Sequence, residues 1–148
     1  MRRTEMRAKA ALAGAAMLLA GCSLTGPSTA AVGECVDLQL DATIVAELEG
    51  FDCSKEHDAE IYFKGDVTTG GDYDAAAIER EAADLCLVSF EDFVGVEYAS
   101  SVLDVYYMFP QQDSWATGDR SVICAAYVLD AATGGVTRIS GSLEGSAR

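Results

Sequence analysis

The chain has 148 residues, of which 24 are acidic and 10 basic, for a formal charge of −14. Nucleic-acid binding depends on Lys and Arg neutralising phosphates, so this balance argues against it. The acids are dispersed with no block of five or more, which reads as a solvated surface or as an acidic docking face for a cationic partner.

Arg2, Arg3, Arg7 and Lys9 give a cationic start, and Ala10 to Ala20 is an apolar run broken only by glycine. The run is far short of the roughly 20 residues that span a bilayer, so residues 1–21 read as an export signal. Leu19-Ala20-Gly21-Cys22 closes it and resembles the bacterial lipobox, which implies a diacylglyceryl thioether on Cys22; ordinary secretion with cleavage near Ala30-Ala31 is the alternative. Two or more acyl chains make anchoring stable, at about 0.8 kcal/mol per buried methylene. The expected location is the outer face of the cytoplasmic membrane. Residues 22–32 form a tether with turn formers and no periodicity, and from Cys22 to Gly33 it reaches about 40 Å at most. Partners should therefore be membrane-proximal.

Removal of the signal leaves 127 residues, with six basic against 23 acidic groups and a formal charge of −17. That length supports one core, over residues 33–148. Alternation of Val36, Leu38 and Leu40 with polar residues predicts a strand at Cys35–Leu40, and a second is expected at Thr43–Glu49. Glu60–Lys64 is a third, ended by Thr68-Thr69-Gly70-Gly71. Asp72 or Asp74 then caps a helix whose Ile78, Ala82, Leu85, Cys86, Phe90 and Phe93 recur at three- and four-residue spacings up to Gly95. Val102–Phe109 follows as a strand, with Leu103, Val105, Tyr107 and Phe109 on its greasier face. Ser121–Leu129 and Val136–Ser140, the latter after a Gly134-Gly135 turn, complete the set. One strong helix among about six strands predicts an α+β domain with a mainly antiparallel sheet.

With Cys22 assigned to lipid, Cys35, Cys53, Cys86 and Cys124 remain, an even number suited to two disulfides in an oxidising compartment. Three connectivities are possible; Cys35–Cys53 and Cys86–Cys124 are favoured, the first joining neighbouring strands and the second stapling helix to sheet. Each adds roughly 3 to 4 kcal/mol on loop-entropy grounds. The spacing lacks the C-x-x-C clustering of a zinc motif.

Several segments taken together carry a resemblance: Gly33-Glu34-Cys35-Val36, Cys53 to Tyr62 through His57, the helical Cys86, and Pro110 through Ser114-Trp115-Ala116-Thr117-Gly118-Asp119-Arg120 to Cys124. Over about Gly33 to Gly145 the chain resembles the septum formation domain family of actinobacterial envelope proteins. It departs from the family pattern at Glu34 and Val36, where Asp and Phe are usual, and at Glu56, which replaces a proline before the histidine. The resemblance implies a link to division septa and supplies no catalytic activity.

His57 is the only histidine, so any triad must use it, with Ser54 or Ser89 as nucleophile and no elbow motif around either. A structural histidine is expected. Ser-x-x-Lys chemistry is excluded, because Met6, Asp52 and Ile61 precede the three lysines by three residues. Carboxylate pairs for glycan cleavage have no sequence signature, and Asp66, Asp72 and Asp74 miss EF-hand spacing. Arg120 can clamp an anionic ligand or pair within its own domain, and Tyr106, Tyr107 and Trp115 can form an aromatic patch or a core. Candidate ligand or partner contacts are His57, Glu60, Trp115, Asp119 and Arg120, with no catalytic residue, metal or cofactor assigned. The expected function is a non-enzymatic, lipid-anchored interaction module bound to an envelope protein or wall component. The alternatives are a small hydrolase or ligand-binding protein using His57 and Arg120, and a purely architectural domain.

Overall fold

The computed structural model describes residues 29–38 and 48–148. Cys22, the export signal and most of the tether lie outside these residues, as does the expected Thr43–Glu49 strand apart from Leu48 and Glu49.

Among the described residues five antiparallel strands form one sheet: β1 Cys35–Val36, β2 Ala59–Asp66, β3 Leu103–Met108, β4 Ser121–Asp130 and β5 Gly135–Thr137, in the order β1-β2-β4-β3, with β5 paired to the end of β4. The main helix, α1, runs Ala75–Val94, and a one-turn helix, α2, covers Gln112–Ala116. The protein is thus an α+β domain. The Asp74 side chain accepts from the Ala77 N–H at the start of α1, and Gly95, at φ 91°, ends it by donating to the Glu91 carbonyl. Only glycine adopts that left-handed geometry without a steric penalty.

The core has two layers because β4 is buried on both faces. Val122, Cys124 and Ala126 meet Ile78, Ala82, Cys86, Phe90 and Val94 of α1. Ile123 and Ala125 face the other way, toward Ala30, Val36, Leu48, Ala59 and Ile61. A bulge in β2, between Ile61 and Phe63 where they pair with Ala125 and Cys124, reconciles the layers. The extra residue lets Tyr62 and Phe63 both join the helix side. Two disulfides, Cys35–Cys53 and Cys86–Cys124, have the expected pairing.

The elements differ from the sequence expectation mainly at the sheet edges. β1 stops at Val36 rather than Leu40, since the Leu38 N–H bonds the Asp58 carboxylate, 2.9 Å away, instead of a strand. β5 stops at Thr137 rather than Ser140, because Ile139 leaves β4 to form a bridge with His57. β2 is longer than expected, and α2 and a 3-10 turn at Tyr98–Ser100 had no sequence counterpart.

Candidate functional site

One end of the sheet carries an open pocket of about 580 Å³ lined by residues from three segments: Gly33 and Glu34; Phe51, Asp52, Cys53 and Ser54, with Glu60; and Gly141, Ser142 and Glu144. Local bonds explain how the segments meet. Cys35 and Phe51 exchange backbone hydrogen bonds at 2.9 Å, and Cys53, the disulfide partner of Cys35, accepts one from the Gly141 N–H. The loop between closes on itself, with the Ser54 N–H donating to Asp52 at 2.8 Å. The Ser54 hydroxyl, followed by that N–H, holds the Asp52 carboxyl below the usual range.

Glu60 stands opposite Cys35 in the β1–β2 register and is 1% exposed. Its carboxyl group accepts from the Ser142 hydroxyl, at 2.8 and 3.1 Å, and from the Leu143 N–H. The buried acid therefore fastens the C-terminal segment over the sheet.

His57 is fully buried. Its backbone pairs with Ile139, its Nδ1 lies 2.8 Å from the Lys55 carbonyl, and its Nε2 has no hydrogen-bond partner among the described residues. Among the described residues no serine or carboxylate bonds the ring, so neither Ser54 nor Ser89 is paired with it as a nucleophile would be. Arg138 secures the same loop from outside through Asp37 at 2.9 Å, Asp58 at 3.1 Å and the Glu56 carbonyl at 2.9 Å. A ring nitrogen of His57 and the sulfurs of Cys35 and Cys53 lie within 4.8 Å of one another.

The other candidates lie elsewhere. Arg120 precedes Ser121, which pairs with Asp66, whereas His57 precedes Ala59, which pairs with Tyr127. About 20 Å of strand separates the two groups, so the fold does not bring His57 and Arg120 into one site. Arg120 lies 3.4 Å from the Trp115 ring centre and donates to the carbonyls of Trp115 and Asp119, at 3.2 and 2.6 Å. The Trp115 Nε1–H donates to Gly71, and Asp119 accepts from the Ser121 N–H and hydroxyl. Burial works to raise the Asp119 pKa, but the hydrogen bonds from Ser121, Ser114 and the Arg120 backbone together outweigh it and leave the group below its ordinary value. This cluster is a self-satisfied brace at the β2–β4 end. Nor do Tyr106, Tyr107 and Trp115 form one patch, because alternation along β3 sends Tyr106 to one layer and Tyr107 to the other. Asp74 serves as the helix cap.

Glu34, Asp52, Ser142 and Glu144 completed the pocket without a sequence signal, since it takes tertiary folding to bring residues 141–144 beside residues 33–60. The result is a disulfide-stapled α+β domain with an acid-lined pocket at one sheet end, built for an oxidising, extracytoplasmic compartment. Residues 32–148 match the family described as septum formation, and the chain belongs to that family. No curated protein and no solved structure matches the chain. Among the described residues no helix is long and apolar enough to cross a membrane.

Proposed function

We propose that the protein is a lipoprotein anchored through Cys22 on the outer face of the cytoplasmic membrane, and that its domain works as a non-enzymatic interaction module in septum formation or envelope assembly. The family match over residues 32–148 supports the process. The observation that carries the non-enzymatic reading is how the most reactive groups are used. His57 is enclosed and bonded to a backbone carbonyl, Glu60 holds Ser142 and Leu143, and Arg120 is stacked on Trp115. Each maintains the fold and leaves the pocket rim as a recognition surface.

A C-terminal fluorescent fusion expressed at native level tests process and anchor together. Enrichment at division septa is the expected result, and a uniform peripheral signal would remove the septal assignment. Cys22→Ser should move the protein from the membrane fraction to the soluble extracytoplasmic fraction if the anchor is the lipid. Retention in membranes would overturn that part alone.

A further inference from the structure

We propose that Cys35, Cys53 and His57 form a thiophilic metal site, latent while the disulfide is closed, that takes one zinc ion when the two thiols are free. Cys53 and His57 stand four residues apart and Cys35 lies 18 residues before Cys53, with no C-x-x-C pair among them, and the fold brings their ligand atoms within 4.8 Å of one another. Zinc–sulfur and zinc–nitrogen bonds of about 2.3 and 2.0–2.1 Å place tetrahedral ligands roughly 3.6–3.8 Å apart. Once the S–S bond opens, the two sulfurs are free to separate to that spacing.

The histidine is already set up as a ligand. The Lys55 carbonyl 2.8 Å from Nδ1 is only an acceptor, so Nδ1 carries the proton. Nε2 therefore presents its lone pair, and it is buried with no donor to it among the described residues. Donation of the other ring N–H to a backbone carbonyl is the arrangement that orients metal-binding histidines. A buried acceptor with no partner is otherwise unfavourable.

Access and selectivity follow from burial. Cys53 is half-exposed and lines the pocket, and Glu34, Asp52, Glu60 and Glu144 around it raise the local concentration of cations. The pocket also supplies water for a fourth coordination position. Cys86 and Cys124 are both fully buried, so a reductant reaches Cys53 first. In that step a dithiol attacks the Cys53 sulfur, the Cys35–Cys53 bond breaks, and the reductant leaves as its own disulfide with two cysteine thiols formed. Zinc then binds both sulfurs as thiolates and Nε2, releasing two protons to solvent.

The test uses the full protein purified in detergent and titrated with a phosphine, which reduces disulfides and does not compete as a thiol ligand. Alkylation mapped by peptide mass spectrometry should label Cys35 and Cys53 before Cys86 and Cys124. One equivalent of Zn²⁺ should then protect both thiols from alkylation, and Co²⁺ in its place should give visible thiolate–cobalt bands. His57→Gln should weaken binding by at least about tenfold, and Cys53→Ser should abolish the cobalt bands even if His57→Gln fails to fold. Free thiols left unprotected by Zn²⁺ would overturn the proposal. So would equal binding by the oxidised protein, which would locate the metal on the acids, or unchanged affinity in a folded His57→Gln protein.

Discussion

At Glu81, four donors converge on one carboxylate: the N–H and hydroxyl of Thr68, each at 2.6 Å, and those of Thr69, at 2.9 and 2.6 Å. The Thr68 hydroxyl, then the Thr69 hydroxyl, contribute most to lowering the pKa from 4.5 to about 2. A carboxyl depressed in the folded state stabilises fully above its unfolded pKa, and that contribution is lost as pH falls through the folded value. The loop-to-helix clamp should therefore weaken between pH 4.5 and about 2. Urea midpoints measured across that range should show a shallower decline for Glu81→Gln than for the natural chain, with the variant less stable at neutral pH. Parallel curves would show that the clamp adds nothing. Glu60 works by burial instead of charge at the surface. Glu60→Ala would strand the Leu143 N–H, and an unsatisfied buried donor costs about 1–3 kcal/mol. Limited proteolysis should then cut first near residues 141–148, where the natural chain is held.

Among the elements, α1 was the most legible, because its start and stop signals and its apolar stripe agree. The Asp74 side chain bonds the Ala77 N–H at 3.1 Å, and replacing such a cap with alanine costs about 1 kcal/mol. Asp74→Ala should lower the unfolding free energy by that amount and raise hydrogen exchange most at residues 75–78, and uniform exchange along α1 would contradict a local cap role. The strands were legible where alternation met a buried face, as at Leu103, Val105 and Tyr107. They were misjudged at their ends, where tertiary bonds decide: Asp58 captures the Leu38 N–H, and His57 captures Ile139. The bulge at Tyr62 breaks a two-residue period, and α2 is only five residues long, below what periodicity resolves. The candidate site was legible as residue types and not as an assembly. His57 and Glu60 are on or near the pocket end, while Trp115, Asp119 and Arg120 form a separate brace, and only strand register separates the two groups.

On the scale of the whole molecule, the two disulfides perform different tasks. Cys35–Cys53 closes a separation of 18 residues at the β1 edge, whereas Cys86–Cys124 spans 38 residues and ties α1 to the central strand β4. Loop entropy assigns them about 3 and about 4 kcal/mol. Position reinforces the ranking, since Cys86 and Cys124 lie in the layer that contains Tyr62, Phe90 and Trp115, and the Tyr62 hydroxyl donates to the Cys86 carbonyl at 2.9 Å. A domain of this size has about 5–15 kcal/mol in total, so losing the helix staple removes a large share of its stability. Cys86→Ala/Cys124→Ala should therefore unfold at distinctly lower guanidinium concentration than Cys35→Ala/Cys53→Ala, and its α1 amides should lose exchange protection together. The edge pair should instead loosen residues 33–36 and 51–57 while α1 stays protected. If the edge variant were the less stable of the two, the stability of the fold would reside in the segment that encloses His57, and the helix would be an accessory to it.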